Sequence, residues 1–255
     1  MDASLRIYAR EEDMRLYFKD MGSFCIGFYT VVLHLNGGSV TAADLSAICE
    51  SAGICSRGRV ETLVSKMKSR RDLMAERVPG GGRARRLVPS ERLVTLFRDY
   101  MAGHVAGWVE LETPAVFVAS RLCEPGCGEP LLRMIGALAL MDLGRPRRYS
   151  DVINFFAYRS AGMNILFDIS AGMPEAPLAG TAFNVSISDI SRKFGVSRAH
   201  VLDLLHDGAE AGHLNWQSEE RTVTFGEDLA EAQKGFFTVA FASIEAVARE
   251  VAATG

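Results

Sequence analysis

Residues 41–73 read "TAADLSAICESAGICSRGRVETLVSKMKSRRDL". This stretch predicts two helices joined by a tight turn. Thr41, followed three residues later by Asp44, is the pattern of a capping box in which Asp replaces the usual Glu, so we expect the first helix to begin there. A glycine ends that helix, and Ser56 then caps a second helix that we expect to run as far as Leu73.

An extended, glycine-rich stretch follows the second helix. Residues 77–89 read "RVPGGGRARRLVP", which predicts a β-hairpin with a flexible tip at residues 80–82. The tip lacks the Gly-Lys-Ser/Thr ending of a phosphate-binding P-loop, so we interpret it as a hairpin tip. Ser90 is expected to cap the next helix, which runs toward Trp108.

The same pattern occurs again at a constant offset of 141 residues. "SRGRV" at 56–60 matches "SRAHV" at 197–201, and Leu73 matches Leu214. Residues 184–225 also predict the same order of elements, which is a short helix, a turn, a longer helix and a hairpin. We therefore expect one fold to be used twice in this chain.

A winged helix-turn-helix contains the same elements in the same order along the chain, namely a helix, a tight turn, a second helix and a hairpin. The predicted fold is mainly α, with two winged helix-turn-helix units, each with a small β-hairpin wing, plus flanking helices and a rough internal two-fold. "LCEPGCGEP" at 122–130 is rich in proline and glycine and predicts the boundary between the halves. The expected domains are an N-terminal half at 1–122 with its core at 39–89, a linker at 123–130, and a C-terminal half at 131–255 with its core at 184–226. Further helices are predicted at 11–18, 24–35, 131–143, 151–170 and 227–252.

The first copy resembles the DNA-binding core of MarR-type bacterial transcription regulators. The resemblance rests on the two helices quoted above and on the wing that follows them, about a fifth of the chain. It implies that the second helix enters the major groove and that the wing reaches the backbone or the adjacent minor groove. MarR-type proteins normally carry one such unit and dimerise, whereas this chain carries two, so a tandem winged-helix regulator is the expected class.

The second helix of the first copy has an apolar and a polar face. At 100° per residue, Val60, Leu63, Val64 and Met67 share one side. Small polar residues bordered by cations lie opposite, and such a face suits close approach to base edges and phosphates. The wing adds arginines that suit phosphate contacts. The predicted DNA-binding residues are Ser56, Arg57, Gly58, Arg59, Thr62, Ser65, Lys66, Ser69, Arg70, Arg77, Arg83, Arg85 and Arg86.

The two copies differ in charge. Residues 39–89 contain ten Lys and Arg against five Asp and Glu, a balance of +5, whereas residues 184–226 contain four against six, a balance of −2. The second copy carries Asp203, His206 and Glu210 on the face that would meet DNA, and its hairpin carries two glutamates. Because acids there would repel phosphates, we expect only the first copy to hold DNA, unless the second copy docks in a different pose through Arg192, Lys193 and Arg198.

Composition excludes several other classes of protein. The chain has a net charge of −3, so only a local basic surface would attract nucleic acid. The N-terminus has no apolar signal region, and the longest apolar runs, 24–35 and 131–143, are shorter than the ~20 residues of a membrane span. Five cysteines, an odd count, fit a reduced protein, so we expect a cytoplasmic location without membrane contact.

No residue pattern predicts catalysis or a resident cofactor. The five histidines are scattered, Cys123 and Cys127 lack a neighbouring histidine, and no Ser-His-Asp set or carboxylate pair stands out, so we expect neither a metal site nor an enzyme. Cys49 and Cys55 are expected to pack in the core, with thiol sensing as the alternative. The aromatic residues Trp108, Phe117, Phe155, Phe156 and Phe167 are expected in the core, with a pocket for a small apolar or aromatic effector as the alternative.

The sequence therefore predicts a sequence-specific transcription regulator that binds double-stranded DNA as a homodimer. The first copy reads DNA, and the second supports dimerisation or transmits effector binding. Two alternatives stay open. One is an architectural tandem winged-helix protein that binds protein partners, as chromosome-segregation accessory subunits do, and the acidic second copy fits it. The other is a plasmid replication initiator, in which both units would be basic.

Overall fold

The computed structural model describes residues 12–77, 85–109, 151–171 and 179–254. This part of the chain is mainly helical with two small antiparallel sheets. It divides into two compact units, an N-terminal unit that contains α2 to α5 and a C-terminal unit that contains α1, α6 to α9 and most of α10. The helices are α1 Glu12–Phe18, α2 Met21–Leu35, α3 Ala42–Ser51, α4 Arg57–Ser69, α5 Glu91–Val109, α6 Asp151–Ala157, α7 Gly162–Ala171, α8 Ile187–Phe194, α9 Arg198–Glu210 and α10 Glu227–Thr254; the strands are β1 Leu73–Arg77, β2 Arg85–Pro89, β3 Ala182–Asn184, β4 Leu214–Gln217 and β5 Thr222–Phe225.

The core of the N-terminal unit forms where α3, α4 and the β1–β2 hairpin meet α2 and α5. The apolar stripe of α4 is buried, as its spacing predicts. Helix α2 is apolar almost all round, and every residue from Gly22 to Val32 except the half-buried Phe24 is buried. The Phe28 ring packs 6.1 Å from the ring of Phe97 in α5. Helix α4 packs on α3 and on β1, and its polar face is exposed.

The start of α3 confirms the predicted capping box. The Thr41 hydroxyl accepts from the Asp44 N–H at 3.2 Å, and the Asp44 carboxylate accepts from the Thr41 N–H at 2.8 Å. The Ser90 hydroxyl likewise accepts from the Leu93 N–H at the start of α5. Both caps satisfy N–H groups that a helix start leaves without an intrahelical partner.

We expect Thr41→Ala to lower the free energy of unfolding by about 1 kcal/mol, because it removes the cap of α3. Urea unfolding followed by circular dichroism measures this change. Thr41→Ser keeps the hydroxyl and serves as the control. An alanine variant as stable as the serine variant would show that the cap contributes nothing.

Helix α4 ends before the predicted position. It stops at Ser69 rather than Leu73, because Arg71 adopts a left-handed φ of 62° and the Asp72 N–H turns back to the Met67 carbonyl at 2.9 Å. Leu73 therefore begins β1, which pairs with β2 in the register Leu73↔Pro89 and Arg77↔Arg85. The expectation of a hairpin after α4 is confirmed, and that of a helix reaching Leu73 is wrong.

Residues 151–170, predicted as one helix, form two. Helices α6 and α7 are separated at Ala161, which has a left-handed φ of 55° and whose N–H donates to the Lys19 carbonyl. The Asn164 side chain donates to the Phe18 carbonyl at 2.9 Å, so the end of α1 lies against this break. Helix α1 thus packs in the C-terminal unit, although the predicted halves placed it with the first. The predicted linker at 123–130 and the helix at 131–143 lie outside the described residues.

The C-terminal unit contains a sheet of three strands rather than a simple hairpin. Strand β5 lies in the middle and pairs with β4 on one side and with the short strand β3 on the other. The sequence did not predict β3. The N-terminal unit has a reduced counterpart of this pairing, because the Leu87 N–H of β2 donates to the Val40 carbonyl at 2.8 Å.

Backbone details match between the units, at an offset of 141 residues as far as Asp72 and His213 and of 136 residues where the following helices begin, at Ser90 and Gly226. The left-handed Arg71 corresponds to Gly212, with a φ of 80°. Asp72 O accepts from the Ser90 N–H at 2.8 Å, and His213 O accepts from the Gly226 N–H at 2.9 Å. The order helix, helix, hairpin, helix is therefore present in both units. Among the described helices, none is long and apolar enough to cross a membrane.

At one core position the two units carry side chains of very different size. Met67 in α4 corresponds to Gly208 in α9, and a Cβ at Gly208 would lie 3.1 Å from Leu214 Cδ2 and 3.5 Å from Phe156 Cζ. The glycine makes room for the Phe156 ring of α6, which the sequence placed in the core and which is 1% exposed.

We expect Gly208→Met to destabilise the chain by about 1–3 kcal/mol, because it overpacks this site. Chemical denaturation measures the change, and Ala199→Met, on the exposed face of the same helix, is the matched control. Equal stability of the two variants would contradict the packing described here.

Candidate nucleic-acid interface

The outer face of α4 is the clearest polar surface of the N-terminal unit. Val60, Leu63, Val64 and Met67 are buried. The residues predicted to face DNA on the opposite side are all exposed, so the spacing argument for this helix is confirmed. They are Gly58, Arg59, Thr62, Ser65, Lys66 and Ser69.

The start of α4 is less open than the sequence suggested. The Arg57 N–H donates to the Glu50 carboxylate of α3 at 3.2 Å. The Arg57 guanidinium donates to Glu61 Oε1 at 2.8 Å, and this bond and the Glu61 charge raise the pKa of Arg57. Ser56 occupies the N-cap position without a capping bond from its side chain. Acids therefore already engage both the N–H group and the guanidinium of Arg57, a residue predicted to contact DNA.

The C-terminal end of α4 is anchored by a buried carboxylate. Asp72 is 1% exposed and accepts from Arg70 Nε at 3.4 Å and from the Arg92 guanidinium of α5. Arg70 and Arg92 are both partly exposed. The bond to Asp72 thus holds the side chain of Arg70, a predicted DNA contact, against the turn between α4 and the hairpin.

The hairpin carries two different charge pairs across its strands. Glu76 faces Arg86, and their side chains form an ion pair. Arg77 faces Arg85, and like charges directly opposite each other in a sheet are destabilising unless an anion lies between them. Both of these arginines are exposed. The Arg77–Arg85 pair is therefore suited to an anionic partner, whereas Arg86 is partly neutralised. Arg83 and the glycine tip lie outside the described residues.

Two further cations are exposed near the predicted DNA-binding residues in sequence, Lys68 in α4 and Arg71 in the turn after it. Neither was predicted to contact DNA, because Lys68 lies off the polar face of α4 and Arg71 was expected to continue the helix. The left-handed conformation of Arg71 could have been inferred from Gly212, its counterpart in the second copy.

The corresponding surface of the C-terminal unit has a different character. On α9, Asp203, His206 and Glu210 are exposed, as predicted. The edge of this helix is already in contact with the α6–α7 turn: Arg159 Nη2 lies 3.2 Å from Asp207 Oδ2, and His200 Nε2 lies 2.7 Å from the Ser160 carbonyl. A polyanion approaching α9 would meet three polar or acidic side chains and an edge that is partly covered.

Of the other groups expected in the core, Cys49 and Phe156 are buried there, whereas Cys55, Phe155 and Phe167 are only half-buried. Cys25 and Cys49 are buried and Cys55 is half-buried. Burial, together with the neighbouring Cys55, raises the pKa of the Cys49 thiol, which opposes thiolate chemistry there. Phe155 and Phe156 pack on each other and on His213, and Phe167 packs on Phe236 and Phe237. Cys123, Cys127, Phe117 and the side chain of Trp108 lie outside the described residues.

Within the described part of the chain, no cluster of three or more His, Cys, Asp or Glu side chains could hold a metal ion. The arrangement is that of a mainly helical protein whose N-terminal unit presents an exposed polar and basic helix face beside a basic hairpin. No protein-family model matches the chain, and comparisons with curated proteins and with solved structures found no match.

Proposed function

We propose that the protein is a sequence-specific transcription regulator that binds double-stranded DNA, built from two winged helix-turn-helix units in the manner of MarR-type regulators. The N-terminal unit reads DNA, and the C-terminal unit supports dimerisation or responds to a small apolar or aromatic effector. In this proposal the protein acts by binding and catalyses no reaction.

One observation carries the proposal. The apolar stripe of α4 is buried while its opposite face exposes small polar residues between two cations, Arg59 and Lys66. Small side chains allow the helix axis to approach base edges, and the cations meet the phosphates at either side. The exposed like-charge pair Arg77–Arg85 on the adjacent hairpin supports the same partner, because a phosphate would relieve its repulsion.

The reading step follows from the donors and acceptors on α4. The Thr62 hydroxyl donates to the Gly58 carbonyl at 2.8 Å, so its remaining lone pairs accept from the amino groups of adenine or cytosine. In a homodimer, two α4 helices would read half-sites about 34–36 Å apart on a palindromic operator.

Selection of bound fragments from the source genome tests the proposal. The full chain should enrich fragments that contain an inverted repeat. The logarithm of the binding constant for the selected duplex should fall with the logarithm of the salt concentration, with a slope of about −0.9 per phosphate contact. If Arg59, Lys66, Arg77 and Arg85 each neutralise one phosphate, the slope is about −4 for each protomer. Enrichment no better than that of random fragments at low salt would contradict the proposal.

A second candidate is favoured by the acidic face of α9. Asp203 and Glu210 are exposed there, and the hairpin that follows carries Glu219 and Glu220, also exposed. Such a surface suits a basic protein partner, so an architectural tandem winged-helix protein is the alternative. This function would be supported if the selection retained no DNA.

A further inference from the structure

The C-terminal unit contains a small cavity between the starts of α8 and α9 and the turn before β5. Its volume is about 270 Å³. This volume holds a phosphate group with its nearest waters, and is just below the ~300–1,000 Å³ of sites for drug-sized ligands. The lining residues are Ser186, Ile187, Ser188, Arg198, Leu202 and Arg221.

The charge of this cavity is opposite to that of its surroundings. Residues 184–226 have a balance of −2, yet two of their four basic residues line this one cavity, and none of the described lining residues is acidic. Asp189, next along the chain from Ser188, is paired with Arg192 at 2.9 Å. The hydrogen bond from Ser186 and the Arg192 charge lower the pKa of Asp189. The cavity therefore presents two guanidinium groups to whatever enters it.

The two arginines are held in place by different means. The Arg198 guanidinium donates to the Ser188 hydroxyl, which leaves the hydroxyl proton of Ser188 for an acceptor in the cavity. Arg221 has a left-handed φ of 53°, and its carbonyl accepts from the Val185 N–H at 2.8 Å. A non-glycine residue in this conformation costs free energy and is retained where the surroundings or a function require it.

We propose that this cavity is a binding site for a phosphate group, held by Arg198, Arg221 and Ser188. Guanidinium groups match the oxygen geometry of phosphate and keep their charge at all physiological pH values. The phosphate belongs either to a DNA backbone or to a small phosphorylated compound, and both present the same oxyanion.

Titration of the full chain with inorganic phosphate, followed by ¹H–¹⁵N NMR at constant ionic strength, tests the site without DNA. We expect saturable shifts of the Ser188 and Leu202 amide signals. Removal of one guanidinium should weaken binding at least about tenfold, as expected for loss of one charge-assisted hydrogen bond. Arg198→Gln and Arg221→Gly are the variants, and Lys234→Gln, which removes an exposed cation of the same unit, is the control.

Arg221→Gly separates binding from folding. Glycine accepts the left-handed conformation without strain, so this variant should be at least as stable as the wild type and still lose phosphate. Shifts no larger than those caused by matched chloride would overturn the site, as would equal weakening in Lys234→Gln.

The salt dependence of binding to the selected duplex shows whether the phosphate belongs to the DNA backbone or to a small phosphorylated compound. If the DNA backbone fills the cavity, the Arg198→Gln/Arg221→Gly double variant should lose about one to two units of salt slope. If a small phosphorylated compound fills it, the slope stays unchanged while phosphate binding is lost. Because the phosphate titration contains no DNA, failure of the regulator proposal would leave its result intact.

Discussion

Arg59→Glu combined with Lys66→Glu is expected to reduce the affinity for the selected duplex by at least about a hundredfold. Each side chain is exposed beside the small polar residues of α4. Each would lose a charge-assisted contact of about 1.5–3 kcal/mol, and each new carboxylate would repel the phosphates. Fluorescence anisotropy over a range of salt concentrations gives the slope of the logarithm of the binding constant against the logarithm of the salt concentration. For the double variant this slope should be smaller in magnitude than that of the wild type by about two units.

The control for this variant must change net charge by the same amount. Lys234→Glu with Arg249→Glu does so, because both side chains are exposed and lie on α10, away from α4 in sequence. This control should bind the duplex nearly as well as the wild type. A similar loss in both double variants would mean that only the total charge matters, and α4 would not be the reading helix.

The second large effect is expected on stability. Arg70→Met with Arg92→Met removes two cationic partners of Asp72, whose side chain is 1% exposed. Removing the cationic partner of a buried carboxylate costs about 3–5 kcal/mol, whereas the loss of ordinary exposed ion pairs costs under about 1 kcal/mol. Urea unfolding of the double variant should therefore show a decrease in the former range.

Replacing the acid tests the cause of that decrease. Adding Asp72→Asn to the double variant removes the buried charge and should restore a large part of the stability, because the amide is far less costly to bury. If the triple variant is no more stable than the double variant, the loss of stability arises from the packing of the arginine side chains and not from the charge of the buried Asp72 carboxylate.

The sequence predicts the elements whose signals are local. The apolar stripe of α4 follows from helical spacing alone, and Thr41 and Asp44 cap α3 because their bonds span only three residues. The end of α4 could not be predicted in the same way, since Arg71 carries no local mark of a left-handed turn. The break at Ala161 depends on the Lys19 carbonyl, which lies far away in the sequence.

The sequence predicts which side chains of the candidate interface are exposed, but not which of them form hydrogen bonds or ion pairs with neighbouring residues. Every residue placed on the outer face of α4 is exposed. The Glu50 carboxylate at the start of α4 was not foreseen, because Glu50 lies on the preceding helix and only the turn geometry brings it to the Arg57 N–H. For the same reason the Arg159 contact that covers the edge of α9 could not be read from charge counts.

In our proposal one fold is used twice, and only the first copy reads DNA. Hydrogen exchange measured by mass spectrometry, with and without the selected duplex, distinguishes the two copies. We expect slower exchange in residues 56–71 and in the β1–β2 hairpin, with no change in residues 203–210 of α9. Protection of 203–210 without protection of 56–71 would contradict it.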